Sequence, residues 1–176
     1  YADRLAAQFK EKFKSFALWQ NVNDGSGNGV FGKTFRLLYG ERRFAGHECG
    51  VRFEAGPNTF LQVNRSVCRK LYERTVRCAL ECGAEVAIDA YSGGGLLTAM
   101  LAKQVGKAYG IEVIAEASEC ANGLIEPNKL EGKMVNICGR VEEKLPEILH
   151  NTLADKAFLV VDPPRKGIDR GTLKAI

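Results

Sequence analysis

The amino-acid sequence predicts an α/β protein with a parallel, doubly wound sheet, preceded by a smaller antiparallel β segment. Three observations carry this expectation. From Glu85 onward, short apolar runs alternate with helix-like segments in β-α-β-α-β order. The run Val86-Ala87-Ile88 ends on Asp89 and leads through Gly93, Gly94 and Gly95 into an apolar stretch from Leu96 to Ala102, which reads as strand, tight turn and helix. Residues 15–57 follow a different rhythm, with short alternating runs between turn formers, as in an antiparallel segment with one buried face.

Taken in order, residues 1–14 predict a helix with Leu5, Phe9 and Phe13 on one face and Lys10, Lys12 and Lys14 on a solvated one. Phe16 to Gln20 and Phe35 to Tyr39 read as strands around a turn-forming stretch, 23–29. Arg42 to Gly46 is a turn or short strand, and Val51 to Phe53 a third strand. Gly56-Pro57-Asn58 punctuates its end, so the domain boundary is expected there: 1–57 as a helix and antiparallel segment, 58–176 as the second domain. Asn64 or Ser66 caps a helix over 65–82, with its apolar stripe expected at Val67, Leu71, Cys78 and Cys82. Arg65, Arg69, Lys70, Arg74 and Arg77 cover much of the remainder, as a solvated face or as RNA contacts. Strands at 86–88, 107–112, 134–138 and 157–161 then alternate with helices at 95–104, 114–122 and 142–149. Residues 171–176 read as the opening turns of another helix, so an excerpt truncated at its C-terminus is expected.

Composition bounds the function. The chain has 176 residues, enough for a real core, and its net charge of +4 is compatible with a nucleic-acid partner without demanding one. No apolar run reaches the length of a membrane span, and the N-terminus has no signal-peptide core, so no membrane partner is expected. Six cysteines, at 49, 68, 78, 82, 120 and 138, form no CxxC pair, and only His47 and His150 are available beside them. No metal site is therefore expected, and scattered free thiols point to a reducing, cytoplasmic setting.

Four features fall at or near the C-terminal ends of successive strands, where ligands bind in such sheets. The turn Tyr91-Ser92-Gly93-Gly94-Gly95 has no third glycine at the dinucleotide position, because Thr98 stands there. That favours a nucleoside ligand without a pyrophosphate over a dinucleotide, unless the turn is purely structural. Asp89 could anchor loop N–H groups or face a ligand ammonium. Glu112, nineteen residues after Gly93, is placed to accept both hydroxyls of a ribose. Asp162 opens the stiff loop Asp162-Pro163-Pro164-Arg165, and its carboxylate could bond a base edge or orient a nucleophile; Arg165, Lys166 and Arg170 could hold phosphate or be ordinary loop charges. Gln62, beside the helix cap, offers both a donor and an acceptor.

The phrases TFLQVN (59–64), DAYSGGGLLTAMLA (89–102), GIE (110–112), GRVEEKLP (139–146) and VVDPPRKG (160–167) occur in order. Together with LWQNVN (18–23), they resemble the RNA uridine-5-methyltransferases, which use S-adenosylmethionine on transfer or ribosomal RNA. The resemblance covers roughly Leu18 to Gly167. It implies a class I methyltransferase (Rossmann-like) sheet, and methyl transfer to C5 of a uridine in RNA, with rRNA ahead of tRNA. It implies a cofactor site made by Gln62, Tyr91, Gly93, Glu112 and Asp162, with Asp162 between cofactor and uracil. A cysteine that attacks C6 is implied beyond Ile176, so residues 1–176 alone are expected to bind cofactor and not turn over, and to be monomeric. The chain departs from the pattern at Ser92, where many members have Cys, at Leu96, and at Arg140, where others have Asp or Asn near the adenine. The rivals are another class I base methyltransferase, a nicotinamide-dependent oxidoreductase and a non-catalytic RNA-binding module.

Overall fold

The computed structural model describes residues 1–23, 25, 31–32, 34–57, 59–152 and 154–176. Residues 24 and 26–29 of the expected turn, and Asn58 at the expected boundary, lie outside the described residues. The chain divides into two compact units, Tyr1–Phe44 and Ala45–Ile176. The second therefore begins ahead of the Gly56-Pro57 punctuation.

The first unit contains helix α1 (Ala2–Lys12) and strands β1 (Leu18–Val22) and β2 (Thr34–Tyr39), which pair antiparallel. Asn21 holds the far end of this ladder: its Oδ1 accepts from the Gly32 N–H at 2.8 Å, and its amide donates to the Gly32 carbonyl at 2.9 Å. Aromatic rings fix the near end. Phe16 stacks on Tyr39 at 4.9 Å, and Phe9 meets Phe16 edge-on at 5.6 Å. Lys10, expected on the solvated face, lies 4.8 Å from the centre of the Tyr39 ring.

Strand β3 (Phe44–Glu48), which belongs to the second unit from Ala45 onward, and β4 (Val51–Ala55) form a two-stranded pair across the Cys49-Gly50 turn. Helix α2 (Arg65–Glu81) begins at Asn64, whose Oδ1 accepts from the Val67 N–H at 3.2 Å, so Asn64 and not Ser66 is the cap. The central sheet follows: β5 (Val86–Ala90), α3 (Leu96–Ala102), β6 (Lys107–Glu112), α4 (Ala115–Asn122), β7 (Met134–Cys138), α5 (Val141–His150), β8 (Ala157–Val161) and α6 (Arg170–Ala175). Short 3-10 turns occupy Glu126–Asn128 and Ala154–Lys156. The four strands run parallel in the order β7-β6-β5-β8. The chain thus steps outward from β5 to β6 and β7, then returns to the other side of β5 for β8. That reversal puts a topological switch point between the C-terminal ends of β5 and β8.

Each face of the sheet has its own apolar layer. Ala87 and Ala108 pack with α3, Leu124, Leu130 and Met134, while Ile88, Ala90 and Ile111 pack with Val141, Leu145 and Ile148 of α5. Because Ala87, Ile88 and Ala90 are fully buried, β5 reads as a near-continuous apolar run. One expectation needs correction on α2. Val67 and Leu71 are about half exposed and Cys82 is exposed, whereas Cys68 and Ala79 are buried and Tyr72 and Val76 pack against the core. The helix has apolar residues at helical spacing on two adjacent faces, so periodicity alone could not choose between them.

Candidate functional site

The register of the sheet brings three carboxylates together at the C-terminal ends of the strands. Asp89 pairs with Gly110 of β6 and with Val160 of β8. Residues two apart on a strand share a face. Glu112, two beyond Gly110, and Asp162, two beyond Val160, therefore flank Asp89 diagonally on either side.

Asp89 is 3 % exposed and accepts a hydrogen bond from Thr98 Oγ1 at 2.7 Å, with Thr98 itself fully buried. Burial pushes its carboxyl up to about 7; the bonds from Thr98 oppose this rise, and the charges of Asp162 and Glu112 add to it. Tyr72 of α2 also faces Asp89 and Asp162. Its phenol is pushed up, chiefly by burial.

The glycine turn is bound to Glu112. Gly93 donates its N–H to Oε2 at 2.9 Å, and Ile114 donates its N–H to Oε1 at 2.7 Å. A carboxylate has four acceptor positions, so two remain for a pair of vicinal hydroxyls. Val113 and Ile114 follow with apolar side chains exposed, a wall suited to a flat base. The Ser92 N–H donates to the Ile111 carbonyl at 2.9 Å, docking the turn on β6. Gly95 is required twice over: its φ is +77°, and a Cβ would come within 2.7 Å of the Ala121 Cβ. Above Gly93 a Cβ would meet nothing within 4 Å, so the turn leaves open space where a ligand can approach the backbone.

The remaining expected residues are distributed around this turn. A Cβ on Gly94 would lie 2.8 Å from the Thr59 methyl, so the start of the TFLQVN segment lies against the turn; Gln62, three residues on, is half-buried. Tyr91 adopts φ +71°, its ring packs on the α5 side of the sheet, and its hydroxyl lies 3.5 Å from Thr172 Oγ1. Asp162 is exposed at the end of β8. Arg140 caps no group of α5 with its side chain; it pairs with Glu142 and Glu143. Thr59, Tyr72 and Thr98 were not singled out as partners of this site from the sequence. The register Asp89↔Gly110 and the contact of Thr59 with Gly94 reveal them only once the strands are paired. Among the described residues, no group of three or more His, Cys, Asp or Glu side chains could hold a metal ion. Among those residues, no helix is long and apolar enough to cross a membrane.

The parallel sheet in the order β7-β6-β5-β8, with helices on both faces, defines the class: it is that of the class I methyltransferase fold. In the solved structures, the chain is similar to the Pyrococcus abyssi tRNA (uracil-54, C5)-methyltransferase in complex with S-adenosyl-L-homocysteine. The TM-score is 0.66 at 22 % identity, covering 94 % of this chain and 39 % of that one. It is also similar to Trm5b from Pyrococcus abyssi, with a TM-score of 0.54 at 18 % identity, covering 80 % and 41 %. At these identities the likeness is one of fold. In sequence, the chain is 35 % identical over 175 residues to an uncharacterized RNA methyltransferase of Oceanobacillus iheyensis, covering 99 % of this chain and 38 % of the relative. It is 36 % identical over 173 residues to another from Lactococcus lactis, covering 98 % and 36 %. The chain thus spans little more than a third of the length of these relatives. No protein-family model matches it.

Proposed function

We propose that the chain is the cofactor-binding part of an RNA methyltransferase that uses S-adenosylmethionine and methylates C5 of a uridine, in rRNA rather than tRNA. The observation that carries the reading is the grip of the glycine turn on Glu112, through the 2.9 Å bond from Gly93, in a chain whose sequence is similar to an uncharacterized RNA methyltransferase over 99 % of its length. The residues fit the cofactor. The open space over Gly93 admits a nucleoside, Glu112 keeps two acceptor positions for its ribose, and Val113 and Ile114 flank the base. The resemblance adds Gln62 and Tyr91 to the cofactor side, although the Tyr91 ring packs on the α5 face of the sheet. Bound there, S-adenosylmethionine would supply a methyl group on a positively charged sulfur.

The protein's own part is to orient and to exclude. Asp162, on the stiffened Asp162-Pro163-Pro164 loop at the switch point, would hold the base edge of the uracil against the cofactor. C5 of uracil becomes nucleophilic only when C6 is saturated, so the reaction needs a thiolate at C6. Three of the described cysteines suit this role poorly. Cys138 ends β7, at the opposite edge of the sheet from β8, and the Cys49 and Cys68 thiols are pushed up by burial. The resemblance to the uridine-5-methyltransferases implies that this thiolate comes from a cysteine on a strand after the Asp162-Pro163-Pro164 loop, in a phrase that none of the chain's six cysteines occupies.

The test is digestion and mass spectrometry of RNA incubated with the full-length protein and S-adenosylmethionine. The expected product is 5-methyluridine in ribosomal RNA. A methylated nucleoside other than 5-methyluridine would favour another base methyltransferase, and NAD binding without S-adenosylmethionine binding would favour an oxidoreductase.

A further inference from the structure

Asp89 is the buried titratable group with no assigned task in this site. It lies beneath the glycine turn, between Glu112 and Asp162 by register, and accepts from Thr98, whose hydroxyl donates to it at 2.7 Å. Two further acidic side chains beside a buried carboxyl make its ionisation costly. Among the described residues, the groups that act on it are neutral or acidic: Tyr72 on α2, Thr98 on α3, Glu112 at the end of β6 and Asp162 after β8; Cys68 lies beside Tyr72, one turn away. The Tyr72 phenol and the Cys68 thiol are both pushed up by burial, so neither titrates near neutrality.

A methyl donor of the proposed kind differs from its demethylated product in one respect that matters here. The donor has a sulfonium with a full positive charge, and the product has a neutral thioether. The amino, carboxyl and ribose groups are common to both. A cation held over the turn would lower the cost of ionising Asp89, whereas a thioether would not.

Resting on the cofactor reading above, we propose that Asp89 discriminates methyl donor from product by charge: it is protonated in the free and product-bound protein and gives up its proton when the sulfonium binds. The balance is the proton that the Asp89 carboxyl carries before binding, one per donor at acid pH and a fraction of one near neutrality, passed to solvent. After methyl transfer the charge on sulfur is gone, Asp89 takes a proton back, and the site no longer favours the ligand it holds. The device thereby promotes exchange of spent product for fresh donor. The shift of Asp89 to about 7 puts this exchange in the physiological range.

The experiment is calorimetric titration of the full-length protein and of its Asp89→Asn variant with S-adenosylmethionine and with S-adenosylhomocysteine, from pH 6 to 8.5. In the native protein the preference for donor over product should rise by about tenfold across this range relative to the variant. Titration of the ligand's own amino group appears equally in both proteins and cancels. With the native protein near pH 7, repeating the titration in buffers of different ionisation enthalpy should show proton release on binding the donor and not the product. Parallel pH curves for native and variant protein, or no proton release, would overturn the proposal while leaving the cofactor reading intact. Failure of the native protein to bind either ligand at any pH would overturn both.

Discussion

Gly93 donates its backbone N–H to Glu112 Oε2 across 2.9 Å, joining the turn after one strand to the acid that ends the next. Ile114 donates to the other oxygen at 2.7 Å, so the carboxylate is held in one orientation before any ligand arrives. A group oriented in advance gives up little further freedom on binding. The glycines can be small and the turn still well defined, because its position is set by this carboxylate and by the bond from Ser92 to Ile111.

Glu112→Gln tests that relationship. The amide presents one acceptor oxygen and one NH₂ group, so at least one of the two backbone donors loses its partner and one ribose hydroxyl loses a charged acceptor. Affinity for S-adenosylmethionine should fall by about tenfold to a hundredfold, at one to two charge-assisted hydrogen bonds. Titration calorimetry checks it, and unchanged affinity would remove Glu112 from the site.

Asp89→Asn should change stability in a pH-dependent way. The native carboxyl titrates at about 7 against an ordinary value of 3.8, so between these values the folded state binds more protons than the unfolded state. Its stability contribution then falls as pH rises through that window. The isosteric amide keeps an oxygen for the Thr98 hydroxyl and has no such slope. The variant should melt close to the native protein near pH 4 and above it near pH 8, by an increment on the order of a few kcal/mol. Thermal melts of both proteins across pH measure this, and a difference that shrinks with rising pH would contradict it.

Much of the fold was legible because its strands are apolar and short and its turns carry glycine. β6 at Lys107–Glu112, β7 at Met134–Cys138 and β8 at Ala157–Val161 coincide with the runs that predict them. What the sequence could not supply was register and facing. Gly110 alone says nothing, yet pairing it with Asp89 explains why Glu112 and Asp162 converge. The stripe on α2 was misplaced for the same reason, since Val67 and Leu71 are as periodic as Cys68 and Tyr72 and only packing decides between them. The roles of Thr98 and Thr59 are likewise set by contacts across nine and sixty-one residues, to Asp89 and to Cys120.

Gly110→Ala follows from that register. A Cβ there would sit 2.9 Å from both Ser92 Oγ and Thr98 Oγ1. Ser92 Oγ is buried with no hydrogen-bond partner among the described residues, and Thr98 is held to Asp89, so any shift happens inside a buried space. Relief must come from moving Thr98 off Asp89 or Ser92 off the turn. The variant should lose about 1–3 kcal/mol of stability. It should also lose cofactor affinity, whereas Gly132→Ala, where a Cβ meets nothing but φ is +75°, should cost stability alone. Denaturation and ligand titration on both variants separate the two effects.

Glu48 provides the opposite pH signature to Asp89. It is buried at the end of β3 and accepts from Arg65 Nε at 2.7 Å and from an Arg69 guanidinium nitrogen at 3.1 Å, tying the hairpin to α2. The bonds from Arg65 and then Arg69 hold its carboxyl below the usual carboxylate range, against the effect of burial. A depressed carboxylate stabilises the fold above its unfolded pKa, and that contribution is lost as pH falls through the folded value. Glu48→Gln should therefore lower the melting temperature at pH 7 and have little effect in strong acid, where the native carboxyl is protonated as well. Melting curves of the two proteins should approach each other as pH falls below 7 into acid, and a gap that stays constant with pH would show that Glu48 acts through packing and not through its charge.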